Sequence, residues 1–234
     1  MNRKLEDKLG KLIMLIVFGY LGYKQAISIL ATAVHGDGTL LMQLALVSQV
    51  FGTAFLALII YFTATRLPPR NSVDGIEPRV TAIVGTFIMM SMIVLPPVEI
   101  SFGMRLVSTL LIIVGTLLSV YGLRKLGRSF SIGPSARALV TEGPYRVVRH
   151  PLYGAETITI LGVVLAHWSP AAILVGQMWL LLQIRRAQHE ELVLRAAFPE
   201  YEDYAQRVPM LIPGLPQHIL DHIIKGPRRS EGTV

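Results

Sequence analysis

The sequence lacks cysteine altogether and is poor in charge. None of its 234 residues is a cysteine, and only 16% are charged, whereas ordinary soluble domains carry about 25%. The missing thiols exclude disulfide bonds, cysteine nucleophiles and cysteine-ligated metals. In place of charge, 52% of the chain is hydrophobic, and the apolar residues come in long runs rather than in an amphipathic stripe. The composition therefore predicts a membrane protein.

Four apolar runs are long enough to cross the roughly 30 Å hydrocarbon core of a bilayer as helices. They cover about residues 12–33, 40–65, 80–100 and 105–123. Two shorter arms follow at about 152–167 and 171–185, each near the lower length limit for crossing. We expect an all-α, polytopic membrane helical bundle of about six transmembrane segments, in which the last two arms form a short C-terminal hairpin.

Lysine and arginine are concentrated in alternate connections. The N-terminal arm, the connection after the second run, residues 124–151 and the region after residue 185 hold nearly all of them. Because cytoplasmic loops carry this excess, both termini are predicted to be cytoplasmic, in a bacterial-type inner or plasma membrane. The topology also explains the net charge of +7, so nucleic-acid binding is not expected. We interpret the charged N-terminus as a retained anchor rather than a cleaved signal peptide.

The chain divides into three segments by composition. We expect a four-span membrane region over 1–123, a catalytic, cofactor-binding region with the hairpin over 124–216, and a C-terminal tail over 217–234 whose last nine residues, "GPRRSEGTV", are disordered. The polar residues of the first region are mostly Ser, Thr, Gln and Gly, which is typical of helix packing in membranes. Part of the basic charge in the second region is explained by contact with anionic membrane lipids.

The stretch "GPYRVVRHPLYGAE", residues 143–156, introduces the hairpin. Proline suits the first position of a helix, so His150 is predicted to lie at the helix entrance, just before Pro151. Tyr153 and Glu156 are three residues apart and share a face of that helix. A carboxylate inside an apolar segment is costly, which makes Glu156 a functional candidate.

The second arm of the hairpin ends in another polar group. Residues 185–197 read as an amphipathic helix that begins with Arg185 and Arg186 and contains Glu190. Because a hairpin brings its two ends together, these side chains are predicted to lie near His150 at the cytoplasmic face. The alternative interpretation is that the arginines, histidine and tyrosines only anchor a span at the headgroups.

The motifs "GPYRVVRHPLYGAE", "EE" and "YEDYAQRVPMLIP" together resemble the isoprenylcysteine carboxyl methyltransferase family and its bacterial relatives, over about residues 120–215. These are integral-membrane enzymes that use S-adenosylmethionine. The family signature, Arg-His-Pro-x-Tyr-x-Gly followed by Glu-Glu, matches here except at one position. The glycine falls at Gly154, and the family's glycine position is occupied by Ala155.

The resemblance implies a cytoplasmic pocket for S-adenosylmethionine and no metal. Its implied cofactor-binding residues are Tyr145, Arg149, His150, Pro151, Tyr153, Gly154, Glu190, Glu191, Tyr201 and Tyr204. Its implied catalytic residues are Glu156, Arg185 and Arg186, of which an arginine would orient an anionic acceptor. A carboxylate acceptor, as in isoprenylcysteine, is favoured and needs no general base, whereas a thiol or ammonium would need Glu156 or His150 as base.

The expected partner is a lipophilic small molecule or lipid-modified substrate that enters from the bilayer. Two other functions remain open at this point. One is a nicotinamide-dependent membrane reductase of related architecture, and the other is a non-enzymatic transport or assembly subunit. The sequence does not indicate an oligomeric state.

Overall fold

The computed structural model describes residues 3–72, 75–96 and 98–214. Its seven α-helices are α1 (Arg3–His35), α2 (Leu40–Thr65), α3 (Ile76–Phe87), α4 (Phe102–Leu126), α5 (Pro151–Ala166), α6 (Pro170–Ala197) and α7 (Tyr201–Arg207). Three 3₁₀ helices (Ile88–Val94, Gly127–Ser129 and Gly143–Arg146) and two short strands, β1 (Asn71–Ser72) and β2 (Ser135–Ala136), complete it. The tail predicted over 217–234 lies outside the described residues.

Within the described residues, four helical segments are long and apolar enough to cross a membrane. They are Asp7–His35, Leu40–Thr65, Ile76–Val94 and Phe102–Ser129, and α5 is a shorter apolar helix. These segments coincide with the four predicted runs, and the third consists of α3 and the 3₁₀ helix that continues it. The prediction of an all-α polytopic membrane protein is confirmed.

Hydroxyl side chains define where the long helices begin. Thr39 caps α2 by accepting a hydrogen bond from the Met42 amide at 3.4 Å, and Ser101 and Ser169 cap α4 and α6 in the same way at 3.2 Å. Such caps satisfy amides that have no partner inside the helix. At the other end of α4, Gly127 adopts φ of 56°, a left-handed value that favours glycine and stops the helix.

Small residues allow α4 and α5 to pack closely. A Cβ atom added at Gly115 would lie 2.4 Å from the backbone nitrogen of Thr159, and one at Gly162 would lie 2.7 Å from the Ser108 carbonyl oxygen. The Ser108 hydroxyl donates a 2.8 Å hydrogen bond to the Gly162 carbonyl across the same interface. This contact explains the small polar residues of the fourth run and fixes the first arm of the hairpin against the bundle.

The hairpin is present, but its second arm is longer than predicted. The sequence suggested an apolar arm ending near residue 185 and a separate amphipathic helix over 185–197, whereas α6 runs without interruption from Pro170 to Ala197. No glycine or proline lies between residues 177 and 198, so nothing breaks the helix where its composition changes. At 1.5 Å per residue α6 is about 42 Å long and α5 about 24 Å, so α6 projects beyond the foot of α5.

Three connections meet at the end of the bundle where α5 begins. Asp7 of α1 accepts hydrogen bonds from Arg66 at 2.7 Å and from Arg137 at 2.9 Å. Strand β1 pairs antiparallel with β2, and Arg128 Nε donates to the Thr65 carbonyl at 2.6 Å. The basic connections predicted to lie on one side of the membrane therefore do share one end of the structure.

Candidate functional site

A buried ion pair joins the two feet of the hairpin. Arg149, just before α5, places Nε and Nη2 each 2.7 Å from Glu191 Oε1 on α6, and both side chains are almost fully buried. Nη1 of Arg149 donates to the carbonyls of Ala205 at 2.6 Å and Val208 at 2.9 Å. Two donors of one guanidinium thus converge on a single carboxylate oxygen, a charge-assisted contact that fixes the position of both side chains. Arg149 therefore ties α5, α6 and α7 together.

The segment after α7 completes this arrangement. The amide of Arg149 donates to the Pro209 carbonyl at 2.9 Å, and the amide of His150 donates to the Met210 carbonyl at 3.0 Å. These bonds hold the backbone before α5 against the segment that follows α7, with His150 at φ −122° as the residue preceding the helix. The position predicted for His150, at the helix entrance, is confirmed.

The electrostatics of Glu191 follow from these contacts. Burial alone would raise the pKa of this carboxyl, but the hydrogen bond and charge of His150 and the charge of Arg149 outweigh it and lower the pKa below its ordinary value. Glu191 therefore stays ionised at neutral pH. It lies in the polar end of α6, beyond the apolar arm.

His150 lies between two carboxylates and against an aromatic ring. Its Nε2 is 3.3 Å from Glu191 Oε1 and its Nδ1 is 3.7 Å from Glu190 Oε2. The imidazole stacks on the Tyr153 ring with centroids 5.6 Å apart and an interplanar angle of 7°. The Tyr153 hydroxyl donates to Glu190 Oε1. The imidazole is thus held on both edges and one face.

A second polar chain starts from Glu156. Its Oε2 accepts a 2.9 Å hydrogen bond from Gln183 Nε2, and Gln183 Oε1 accepts a 2.8 Å hydrogen bond from Arg186 Nη1. Arg186 Nη2 donates to the Ile132 carbonyl at 3.2 Å, and its guanidinium lies 5.2 Å from the Tyr153 ring centroid. Gln183 therefore connects a carboxylate on α5 to a cation on α6.

Three tyrosines add hydroxyl groups to the site. The Tyr204 hydroxyl donates to the Tyr145 carbonyl at 2.6 Å, and the rings of Tyr201 and Tyr204 meet edge to face at 5.7 Å. Burial raises the pKa of Tyr204 to about 12 and raises the pKa of Tyr145 and Tyr201 as well, so all three are neutral donors at physiological pH. Within the part of the chain that the structure describes, the Tyr145 and Tyr201 hydroxyls are buried without a hydrogen-bond partner.

These groups line one cavity of about 380 Å³. The polar part of its lining, called the polar end here, contains His150, Glu190 and the three tyrosines. The apolar part, called the apolar wall, includes Phe18, Phe55, Ile59, Phe87, Met89 and Trp179. Helices α1, α2 and α3 and the 3₁₀ helix after α3 supply most of the apolar wall and α6 supplies Trp179, whereas the polar end comes from residues 145–150 and from α6 and α7. Apolar pockets of roughly this size with a few convergent polar groups are typical of small-molecule sites.

The structure brings most of the predicted site residues to this cavity. Those that line it are Tyr145, Arg149, His150, Tyr153, Glu156, Arg186, Glu190, Tyr201 and Tyr204. Glu191 does not line it and acts through Arg149 and His150. Pro151 begins α5 without lining the cavity, and the exposed Arg185 does not line it either.

The one departure from the family signature has a simple geometry. A Cβ atom added at Gly154 would meet nothing within 4 Å, so this glycine is not required by packing. Ala155 is buried, and its carbonyl oxygen would lie 2.9 Å from a Cβ added at Gly115 of α4. The position where the family has glycine therefore packs against α4 and does not line the cavity.

Sequence reasoning missed several residues of the site. Gln183 and Trp179 line the cavity from the apolar arm of α6, where nothing in the local pattern distinguishes them from packing residues. Arg137 also lines it and is held by Asp7, which precedes it by 130 residues. The proline-rich segment around Pro209 was noticed, but its backbone pairing with Arg149 and His150 was not predicted.

The fold and the site define a polytopic helical membrane protein with a polar, cavity-lining cluster at one end of its bundle. Residues 104–201 match the family described as phospholipid methyltransferase. The chain is similar to protein-S-isoprenylcysteine O-methyltransferase B of Arabidopsis thaliana, with 34% identity over 111 residues, which are 44% of this chain and 56% of that protein. The predicted resemblance to membrane methyltransferases is confirmed over this region.

Two further relatives match shorter segments. Methanethiol S-methyltransferase 2 of Bradyrhizobium diazoefficiens is 39% identical over 77 residues, covering 30% of this chain and 27% of that protein. The nickel-cobalt-cadmium resistance protein NccN of Alcaligenes xylosoxydans xylosoxydans is 33% identical over 84 residues, covering 36% of this chain and 39% of that protein. The matched part thus spans between about a quarter and just over half of the length of these relatives.

Proposed function

We propose that the protein is an integral-membrane methyltransferase that uses S-adenosylmethionine and acts on a lipophilic acceptor. The observation that carries this proposal is the single cavity that joins a polar cluster of His150, Glu190 and tyrosines to an apolar wall from α1 to α3. A polar, charged cofactor and a lipophilic acceptor can both bind only in a site that has a polar part and an apolar part. The family match over residues 104–201 supports the same activity.

The residues of the polar end suit S-adenosylmethionine. The unpartnered hydroxyls of Tyr145 and Tyr201 offer donors to a nucleoside, and Glu190 offers a carboxylate to its hydroxyls or to the cofactor's ammonium group. The first turn of α5 has free amides that attract a carboxylate. When bound, the cofactor supplies an electrophilic methyl group on a sulfonium.

Catalysis in this site rests on positioning and on excluding water. Arg149 and Glu191 hold His150, and His150 stacks on Tyr153, so the polar wall is fixed before any ligand binds. The acceptor enters from the bilayer through the apolar side. The polar end and both termini face the cytoplasm, in an inner or plasma membrane of bacterial type. The resemblance favours a carboxylate acceptor, whereas the contacts of Glu156 favour a neutral acceptor group that gives up a proton when it is methylated.

Binding of S-adenosylhomocysteine to the purified protein, measured by calorimetry, tests the proposal. We expect saturable binding by the wild type and a loss of at least about tenfold in affinity for Glu190→Gln, since one charged contact contributes about 1.5–3 kcal/mol. The exposed Glu200 provides a matched control, because Glu200→Gln removes a carboxylate outside the cavity. A wild-type protein without affinity for this ligand would refute the proposal.

The same experiment separates the alternatives. Binding of NADPH in place of the adenosyl ligand would favour the membrane reductase, and binding of neither would favour a transport or assembly subunit. The relative NccN is named for metal resistance. Among the residues that the structure describes, no group of three or more His, Asp or Glu side chains is arranged so that it could hold a metal ion.

A further inference from the structure

Glu156 is held in a way that leaves one carboxylate oxygen unused. Gln183 donates a hydrogen bond to Oε2 at 2.9 Å, and in the described part of the chain no hydrogen bond reaches Oε1. The side chain keeps part of its surface exposed and lines the cavity. An amide that fixes one oxygen orients the carboxylate without neutralising it, so the other oxygen remains free to accept a proton or a cation.

The arginines that line the cavity already use their guanidinium groups on protein oxygens. Arg137 donates to Asp7 and to the Leu67 carbonyl, and Arg186 donates to Gln183 and to the Ile132 carbonyl. Nε of Arg186 and Nε of Arg137 are buried without a hydrogen-bond partner among the described residues.

Arg149 is likewise committed, to Glu191 and to two backbone carbonyls. A carboxylate acceptor beside Glu156 would therefore meet a like charge, and the Nη groups of these three arginines already donate to protein oxygens.

His150 is poorly placed to act as a base. Its Nε2 faces Glu191 at 3.3 Å and its Nδ1 faces Glu190 at 3.7 Å, so each ring nitrogen is directed at a carboxylate oxygen. An imidazole between two carboxylates is suited to donate hydrogen bonds, not to remove a proton. Among the described residues, the two cavity-lining carboxylates differ in their surroundings: both oxygens of Glu190 face Tyr153 or His150, whereas Glu156 has one oxygen bound by Gln183 and the other open.

We infer that Glu156 is the general base for a neutral acceptor with a heteroatom-bound proton, and that this acceptor is a lipophilic thiol. The inference rests on the proposed function. A lone pair of the acceptor sulfur forms the new bond to the methyl carbon, and the bond from that carbon to the sulfonium breaks. Its electron pair stays on the departing sulfur, which becomes the thioether of S-adenosylhomocysteine. The acceptor proton passes to Glu156 and then to solvent.

A thiol fits this base better than other protic groups do. The cysteine thiol ionises near pH 8.5 and the lysine ammonium group near pH 10.4, so of a cysteine-like and a lysine-like acceptor a carboxylate removes the thiol proton more readily. The proton becomes more acidic as the carbon–sulfur bond forms, and a positioned carboxylate can take it in the transition state. A neutral thiol on an alkyl chain also enters the apolar wall without the cost of burying a charge.

The test compares wild-type protein with Glu156→Gln, which keeps the shape of the side chain and removes its basicity. S-Adenosylhomocysteine affinity is measured by calorimetry, and transfer of labelled methyl groups is measured with two acceptors of equal chain length, octane-1-thiol and octanoic acid. We expect wild type to methylate the thiol in preference to the acid. Glu156→Gln should bind the ligand within about threefold of wild type and methylate the thiol at least about 100-fold more slowly.

The pH profile provides a readout that a structural role would not change. Without a base only the preformed thiolate reacts, so the residual rate of Glu156→Gln should rise about tenfold per pH unit at pH values below the pKa of octane-1-thiol, more steeply than that of wild type. Thr157→Val, one residue along α5, controls for disturbance of the helix and should keep the wild-type profile. Thr157 donates its hydroxyl to the Tyr153 carbonyl, away from Glu156.

Three outcomes would overturn the inference. A loss of ligand affinity of more than tenfold in Glu156→Gln would make Glu156 a cofactor-binding residue. Methylation of octanoic acid, but not of the thiol, by wild-type protein would show that the acceptor class is wrong. An unchanged thiol rate in Glu156→Gln would show that it is not the base. All three presuppose that wild-type protein binds S-adenosylhomocysteine, so failure of the proposed function is recognised separately, by the absence of that binding.

Discussion

Replacement of Arg149 tests how the site is held together. In Arg149→Ala, Glu191 loses both contacts at 2.7 Å, and the carbonyls of Ala205 and Val208 lose their donor. Removing one partner of a buried ion pair costs about 3–5 kcal/mol when the remaining charge loses its main partner, and Glu191 keeps the more distant His150 at 3.3 Å and Arg195 at 3.5 Å. We therefore expect the free energy of unfolding to fall by about 3–5 kcal/mol.

The assay is denaturant unfolding of the purified protein in micelles, with Arg146→Ala as the matched control. Arg146 is an exposed arginine three residues upstream, and its removal should change the free energy by less than about 0.5 kcal/mol. Adding Glu191→Leu to Arg149→Met should recover part of the loss, since no unpaired charge remains. Ligand affinity should stay low in that double variant, because His150 has lost its carboxylate partner.

A loss of less than about 1 kcal/mol in Arg149→Ala would refute this reasoning. It would mean that Glu191 reaches water or another cation once Arg149 is gone, and that the pair is not the clamp that the distances indicate. If Arg149→Ala left the stability unchanged but lost ligand affinity, the result would instead favour direct contact between Arg149 and the cofactor, as the family resemblance implies.

Three further predictions follow from particular contacts. Gly115→Ala places a Cβ within 2.4 Å of the α5 backbone and should lower the free energy of unfolding, measured with denaturant, by about 1–3 kcal/mol. Gly103→Ala on the same helix meets nothing within 4 Å and should be neutral or slightly stabilising. The pKa of Glu191 is lower in the folded chain than its unfolded value near 4.3, so ionised Glu191 should stabilise the fold fully above about pH 5. This contribution should be lost as the pH falls through the lowered pKa, and the difference in free energy of unfolding between wild type and Glu191→Gln should shrink over the same range. Asp7→Asn leaves the buried Arg137 with a weaker partner and should cost about 1–3 kcal/mol, against no change for Glu142→Gln at an exposed position.

The transmembrane architecture and the two feet of the hairpin were predictable from the sequence for simple physical reasons. Runs of apolar residues have few ways to satisfy their backbone in a membrane other than as helices. A short turn between two arms then forces their ends together, which is why His150 and Glu190 could be placed near each other without a structure. The motif residues at those ends needed only connectivity to form a cluster.

Other parts of the site depend on contacts that no local pattern encodes. Gln183 has the same surroundings in the sequence as other polar residues of an apolar arm, and its role follows only from where α5 places Glu156. Arg137 reaches Asp7 across 130 residues, and the carbonyls of Pro209 and Met210 pair with a backbone segment about 60 residues upstream. The sequence pattern also did not predict that α6 is one continuous helix. Its apolar first part and amphipathic second part differ in composition, so they look like two separate elements.

The division of the cavity between two parts of the chain bears on what the protein acts on. The family match covers residues 104–201, which supply most of the polar end, whereas Phe18, Phe55 and Phe87 of the apolar wall lie before it. Residues that hold a common cofactor can stay alike among proteins with different acceptors, while the wall that contacts the acceptor must differ with it. Because α1 is also tied to the site through Asp7 and Arg137, the N-terminal helices shape the acceptor end directly. Substitutions that enlarge or fill the wall at Phe18 or Phe55 should therefore change which chain lengths are accepted and leave S-adenosylhomocysteine affinity unchanged.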